Sequence, residues 1–134
     1  MTRLAALLVL GAAWLGAACG STSPTNVNIA GSWSGTYQLT GASASTIAFT
    51  LSHTGTAVSG NWTLTAGPSI TIIGTVNGTT SGSSFSGTMK YTLNGATCTA
   101  NVAGGAAASS ITWTSPGYTG CGAGTAFTVS IAKK

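Results

Sequence analysis

The sequence contains no aspartate and no glutamate, and lysine and arginine together account for only 4 of its 134 residues. Without carboxylates there is no acidic pair for general acid–base catalysis, no acidic metal-binding cage and no acidic group to orient a catalytic histidine. Nucleophile-elbow and phosphate-loop motifs are also missing from the sequence. We therefore expect a protein that is not an enzyme, with no catalytic residues, no metal and no other cofactor.

The few positive charges also argue against nucleic acid as a partner. They belong to Arg3, Lys90, Lys133 and Lys134, whereas nucleic-acid binding needs basic side chains clustered on one face. The low charge does not indicate disorder, because 43% of the residues are hydrophobic and four are tryptophan. Serine and threonine contribute 41 residues and glycine 20, which favours a folded domain rich in β-structure.

The first residues have the organisation of an export signal. Met1 to Arg3 is short and positively charged, and the apolar run 4–15 follows it. This run has the length of a secretory signal core and is shorter than the ~20 residues that a membrane-spanning helix needs. It predicts a signal peptide over residues 1–18. The alternatives are that Cys19 is incidental to an ordinary cleavage site near Ala18, or that the segment is an uncleaved anchor.

Residues 15–19, Leu-Gly-Ala-Ala-Cys, place small residues before a cysteine and resemble the lipobox of bacterial lipoproteins. The resemblance implies that cleavage precedes Cys19, that Cys19 carries the lipid, and that the protein contacts a membrane through this anchor. Gly20 replaces the aspartate that favours inner-membrane retention in that family. The implied location is the bacterial cell envelope, at the outer membrane, facing the periplasm or the exterior. Residues 19–29 would then form the lipidated cysteine and a flexible tether.

A strict alternation of apolar and polar residues begins at Ile29–Leu39. Trp33, Tyr37 and Leu39 share one face of this stretch, as expected for a half-buried β-strand. Seven further stretches alternate in the same way: Ser45–His53, Ala57–Thr65, Ser69–Val76, Ser84–Leu93, Cys98–Ala103, Ser109–Ser115 and Thr125–Ile131. Turns are predicted between them at Thr54-Gly55, Gly67-Pro68, Asn77-Gly78, Asn94-Gly95, Gly104-Gly105 and Pro116-Gly117.

Eight short strands joined by hairpins predict an all-β domain over residues 30–132. We expect an eight-stranded antiparallel up-and-down β-barrel, with a β-sandwich as the alternative. Eight strands make a small closed barrel. Closure also removes exposed sheet edges, which a chain with so few charges is poorly equipped to protect.

Two cysteines remain once Cys19 is set aside, which is an even number in an oxidising compartment. Cys98 begins the sixth predicted strand and Cys121 lies before the eighth, so both fall at one end of an up-and-down barrel. A disulfide between them would close a loop of about 23 residues and stabilise the fold by roughly 3 kcal/mol. A metal site is the alternative, although the spacing is wrong and no second ligand type accompanies the pair.

His53 is the only histidine and the only candidate general base near neutral pH. It falls on an inward position at the end of the second strand. We interpret it as a histidine at the barrel rim that is bonded to a backbone group, with a catalytic Ser–His pair as the alternative.

Five large aromatic residues also fall on inward positions: Trp33, Tyr37, Trp62, Tyr91 and Trp113. They belong either to a filled core or to the lining of a ligand pocket. In the pocket interpretation, the inward glycines leave room for the ligand; these are Gly35, Gly60, Gly74 and Gly87.

Gly31-Ser32-Trp33 at the first strand, and the hairpin that reaches Gly60-Asn61-Trp62, resemble the start of avidin and lipocalin barrels of the calycin type. Those families begin with Gly-x-Trp and bind small ligands in the barrel mouth. Gly35 replaces the asparagine that holds biotin in avidins, and no arginine follows to pack on the tryptophan as in lipocalins. The resemblance therefore implies the architecture and does not imply biotin binding.

Two functions follow from these patterns. The first is a lipid-anchored cell-envelope module that binds a small apolar ligand or a protein partner. The second is a structural or surface lipoprotein with a filled core and no ligand. A ligand would enter at the end away from the membrane, beside the connections 40–44 and 115–124. Trp33 and Trp113 would then lie deeper than Tyr37 and Tyr91.

Overall fold

The computed structural model describes residues 26–122 and 124–134. Cys19 and the predicted signal peptide lie outside the described residues. Within the described part, no helix is long and apolar enough to cross a membrane. The described chain forms nine strands: β1 (Gly31–Leu39), β2 (Ser45–Thr54), β3 (Ala57–Ala66), β4 (Ile70–Ser81), β5 (Ser84–Leu93), β6 (Ala96–Ala106), β7 (Ser110–Ser115), β8 (Tyr118–Thr119) and β9 (Phe127–Lys133).

Strand pairing closes the sheet into a barrel. Strands β1 to β7 pair antiparallel in chain order, β7 then pairs with β9, and β9 pairs with β1. The two-residue strand β8 lies beside β6. The fold is therefore an all-β, eight-stranded up-and-down barrel of calycin-like architecture with one additional short strand. The predicted barrel is confirmed, and the sandwich alternative is wrong.

Two of the predicted turns lie inside strands. Asn77-Gly78 belongs to β4 and Gly104-Gly105 to β6, while the reversals fall at 82–83 and 107–109. Gly78 pairs with Gly87, and a Cβ at Gly78 would meet the Phe85 ring at 2.5 Å. At Gly104 a Cβ would lie 3.0 Å from Trp113 Cα. These glycines let side chain and backbone approach closely, so their role is packing and not chain reversal.

One end of the barrel, here called the closed end, is covered by the segment that precedes β1. Ile29 has no exposed surface. Its N–H donates to His53 Nδ1 at 3.0 Å, and its carbonyl accepts from Trp33 Nε1 at 2.9 Å. His53 Nε2 lies 3.1 Å from Thr80 Oγ1. His53 thus has the structural role at the rim that its inward position suggests, because Nδ1 accepts from Ile29 and Nε2 is bonded to Thr80.

The same segment is fastened at a second point. Asn26 Oδ1 accepts from the Gly82 N–H at 2.8 Å, and the Val27 N–H donates to the Gly82 carbonyl at 3.2 Å. Val27 also packs against the core. The sequence predicts a flexible tether over residues 19–29, whereas in the structure residues 26–29 are part of the folded domain, because they pack against and hydrogen-bond to the barrel end.

The core fills the barrel from the closed end upward. Trp33 and Trp113 have no exposed surface, and Trp62 is 1% exposed. The Trp113 ring stacks on Phe85 with centroids 4.2 Å apart, and Phe49 meets it edge-on at 5.6 Å. Such contacts leave no room for a ligand at this depth.

Candidate functional site

A cavity of about 310 Å³ lies at the opposite end, here called the open end. This end carries the connections after β1, β3, β5 and β8. The cavity is walled mainly by apolar and aromatic side chains, and its polar lining comes from hydroxyls and from the glycine-rich loop before β9. The lining residues are Tyr37, Leu39, Ser45, Trp62, Leu64, Ala66, Ile72, Tyr91, Tyr118, Cys121, Gly122, Gly124 and Thr125.

Three of the five aromatic residues expected to line a pocket are brought together here. Tyr37, Trp62 and Tyr91 line the cavity, whereas Trp33 and Trp113 do not. Trp33 lies toward the closed end, where it is bonded to Ile29, and Trp113 is packed inside the core. The barrel interior is therefore divided along its axis into a filled lower part and an open upper part.

The interior glycines do not create this cavity. A Cβ at Gly74 would collide with the Trp62 indole, and at Gly87 it would meet the Phe85 ring at 2.8 Å. The space above these glycines is filled, so the expectation that they leave room for a ligand is wrong. The cavity exists instead because several inward positions at the open end are small, notably Ser45 and Ala66.

Gly74 has a different part in the site. It lets the Trp62 indole lie against β4, where Trp62 Nε1 donates to the Thr75 carbonyl at 2.9 Å. The indole polar group is thereby satisfied by the protein backbone. Trp62 consequently offers the cavity an apolar wall and no free donor.

Five aromatic rings form a continuous arc, and all of them except Phe127 line the cavity. Neighbouring centroids are 5.9 Å apart for Trp62–Tyr91 and 4.9 Å for Tyr91–Tyr118, and both pairs meet nearly edge-to-face. The arc continues through Tyr118–Phe127 at 5.2 Å and Phe127–Tyr37 at 4.7 Å. Aromatic pairs at these separations hold one another in place, so the wall is largely pre-formed.

Tyr118 is a lining residue that the sequence pattern did not reveal. On β7 the buried positions are Ile111, Trp113 and Ser115, and simple alternation would next place Gly117 inside and Tyr118 outside. However, Thr114 faces Ala103 while Tyr118 faces Ala100, so four steps on one chain match three on β6. One extra residue therefore shifts the alternation of inward and outward side chains after Ser115.

The extra residue is a β-bulge at Pro116-Gly117. Gly117 has φ of 121°, and its N–H donates to Ser115 Oγ at 3.1 Å. A bulge of this kind redirects the side chains that follow it. Here it turns Tyr118 toward the cavity. The predicted turn at Pro116-Gly117 is therefore corrected to a bulge, which only the pairing with β6 reveals.

A disulfide-bonded pair holds the loop at the mouth. The Cα atoms of Cys98 and Cys121 are 5.3 Å apart, within the range of disulfides, as the sequence predicts. Cys98 is fully buried on β6, while Cys121 belongs to the cavity lining. The bond therefore ties the part of the cavity wall formed by Cys121, Gly122, Gly124 and Thr125 to the rigid barrel.

Among the residues that the structure describes, no charged side chain lines the cavity. Lys90, Lys133 and Lys134 are exposed and none of them lines it. Among the described residues no group of three or more potential metal ligands was found. Burial, and after it the nearby Tyr91, raise the pKa of Tyr37 to about 12. Burial likewise raises the pKa of Tyr118 well above the ordinary phenol value.

The raised pKa of Tyr37 predicts an alkaline titration that differs between folded and unfolded protein. The neutral phenol is favoured in the fold, so its contribution to stability is complete below the unfolded pKa of about 10 and is lost as the pH rises toward 12. Absorbance at 295 nm should show Tyr37 ionising later in the folded protein than in urea. The difference between wild type and Tyr37→Phe isolates this residue. Ionisation of Tyr37 at the same pH in both states would contradict the assignment.

No protein-family model matches this chain, and no curated protein or solved structure matches it either.

Proposed function

We propose that this protein is a lipid-anchored barrel of the bacterial cell envelope that binds a small apolar ligand in its open end. The observation that carries the proposal is the 310 Å³ cavity with its aromatic wall. Small-molecule sites are typically concave, mostly apolar and about 300–1,000 Å³ in volume. A cavity at the lower limit of that range fits a small compound and not a long lipid chain.

The barrel's two unlike ends support the same function. The closed end is sealed by Ile29 and its bonds to His53 and Trp33. The open end is lined by side chains from several strands and by the disulfide-linked loop. A ligand would thus enter through the open end, and its apolar part would be buried inside the cavity, away from water. Burial of apolar surface is the dominant source of such affinity.

The anchor sets the orientation in this proposal. The chain enters the barrel at the closed end, so a lipid on Cys19 would hold that end toward the membrane. The open end would then face away from the outer membrane, toward the periplasm or the exterior. This orientation suits a protein that captures a dissolved compound.

Lipid attachment at Cys19 is testable on the full-length protein. Cys19→Ser should release the chain from the membrane fraction or leave the signal peptide uncleaved, because the thiol is the acylated group. Intact mass and membrane fractionation measure both effects. Cys121→Ser is the matched control, since it removes a cysteine without touching the anchor. Unchanged fractionation and mass for Cys19→Ser would refute the anchor.

Ligand binding is tested by native mass spectrometry of the full-length protein extracted from its own membranes in mild detergent. We expect a bound small molecule that leaves the protein on collisional activation. Ser45→Leu should abolish this adduct, because Ser45 lines the cavity and leucine would fill it. Thr46→Leu is the control, since Thr46 is the adjacent exposed residue on the outer face of β2.

The alternative is a structural or surface lipoprotein without a ligand, and the filled lower barrel favours it. The same experiment separates the two. An adduct that survives in Thr46→Leu and is lost in Ser45→Leu supports ligand binding. A protein that carries no adduct in either variant or in wild type supports the structural role. A stoichiometric polypeptide in place of a small molecule would identify a protein partner.

A further inference from the structure

Two tyrosine hydroxyls in the cavity wall have no oxygen or nitrogen partner among the described residues. Tyr37 and Tyr91 both line the cavity. The Tyr91 hydroxyl approaches the Cys121 sulfur at 3.9 Å, and sulfur is a weak acceptor. The two phenols are close enough for Tyr91 to act on the ionisation of Tyr37. Two neighbouring donors thus face one apolar space, and no described residue supplies an oxygen or nitrogen acceptor for them.

The neighbouring Tyr118 hydroxyl differs in one respect. It also lacks a hydrogen-bond partner among the described residues, but it is buried and has no exposed surface from which to donate to a ligand. Its ring completes the wall between Tyr91 and Phe127. Tyr118 therefore shapes the cavity, while Tyr37 and Tyr91 are the residues able to donate into it.

The absence of charged groups from the described part of the cavity wall limits the charge that its ligand can carry. No charged side chain of the described residues lines the cavity, and the sequence carries a formal net charge of +4 with no acidic side chain. An ion moved from water into this space would lose its hydration without gaining a counter-ion. The aromatic wall could attract a quaternary ammonium group, but the excess of lysine over acidic residues opposes a cation.

We propose that the ligand is a small, uncharged ring compound with one hydrogen-bond acceptor, which the hydroxyls of Tyr37 and Tyr91 hold. The apolar ring would lie against Trp62 and Leu64, and the acceptor, such as a ketone oxygen, would point toward the two phenols. This inference rests on the proposed ligand-binding function and assigns its chemical class. The pKa of Tyr37, about 12, lies far above neutral pH, as that of an ordinary phenol does, so its hydroxyl is a donor at neutral pH.

The test uses four probes of one size with the full-length protein. The probes are 2-acetylnaphthalene, 2-ethylnaphthalene, 2-naphthoate and trimethyl(2-naphthyl)ammonium. The first two differ only in the acceptor oxygen. Calorimetry, corrected by a detergent blank, should show the ketone binding about threefold to thirtyfold more tightly than the hydrocarbon. Both charged probes should bind at least about tenfold more weakly than the ketone.

Three conservative variants locate the donors. Tyr37→Phe and Tyr91→Phe keep the rings, so each should lower affinity for the ketone by about twofold to tenfold and leave the hydrocarbon within about twofold. The double variant should bind both neutral probes equally. Thr46→Val is the control and should change neither affinity, because it removes a hydroxyl from the exposed outer face of β2, outside the cavity.

The outcomes separate this inference from the proposed function. Equal binding of ketone and hydrocarbon by the wild type, or a preference that survives the double variant, overturns the assigned class and keeps ligand binding. Tightest binding of the ammonium probe overturns the uncharged class in favour of an aromatic cation site. Absence of binding by all four probes, together with no co-purifying adduct, overturns the proposed function itself.

Discussion

Trp33→Ala should lower the free energy of unfolding by about 3–5 kcal/mol, the usual cost of removing a buried tryptophan. The Trp33 side chain has no exposed surface, so its loss leaves a void in the filled part of the barrel. It also removes the donor to the Ile29 carbonyl, and with it one of the bonds that hold the cover of the closed end. Urea unfolding followed by far-ultraviolet circular dichroism measures the change.

Two companion variants make the Trp33 result specific. Trp33→Phe restores most of the volume but not the hydrogen bond, and should cost about 1–2 kcal/mol. Ile73→Ala removes an apolar side chain that is 69% exposed, and should change stability by less than about 0.5 kcal/mol. A loss below about 1 kcal/mol for Trp33→Ala would show that Trp33 neither fills the barrel core nor holds the cover of the closed end. Probe affinity of the folded fraction should be unchanged, because Trp33 does not line the cavity.

The double variant Cys98→Ala/Cys121→Ala should be less stable than the wild type by about 3 kcal/mol. The bond joins residues 23 apart in sequence, and it restricts the unfolded chain by closing that loop. Reduction of the wild type should give a similar loss, measured by urea unfolding with and without reductant. Free thiols in the oxidised, folded protein would show that the bond does not form.

The same variant should also impair ligand binding. Cys121, Gly122 and Gly124 line the cavity, and Gly120 and Gly122 have positive φ, so this loop has few conformational restraints of its own. Without the bond, the short pairing of β8 with β6 is left to tie the loop to the barrel. Amide exchange should then accelerate in residues 120–125, and affinity for 2-acetylnaphthalene should fall. Exchange that stays slow there would show that β8 pairing suffices to hold the wall.

Much of the site could be predicted from the sequence because strand alternation is a local property. The two-residue period placed Tyr37, Trp62 and Tyr91 inside the barrel together with Trp33 and Trp113. Alternation gives the face of a residue but not its depth along the barrel axis. Depth depends on how neighbouring strands are staggered, and it separates the three cavity residues from the two that are buried in the core.

Tyr118 shows where local reasoning ends. Its inward orientation depends on one extra residue at Pro116-Gly117, and that residue is visible only when β7 and β8 are matched against β6. Proline followed by glycine is equally compatible with a turn. Pairing with β6 decides between turn and bulge, and the local sequence does not contain that partner.

The sequence by itself determined the all-β class, the eight main strands, the closed barrel and the pairing of Cys98 with Cys121. These features follow from the two-residue period of apolar side chains and from the number of alternating stretches, and both can be read directly from the order of residues. Only the tertiary structure decided that Ile29 seals one end and that small side chains leave a cavity at the other. It also decided that the interior glycines are covered by rings such as that of Trp62. The physical reason is that empty space in a barrel is what remains after side chains from distant strands have packed, and no single segment carries that information.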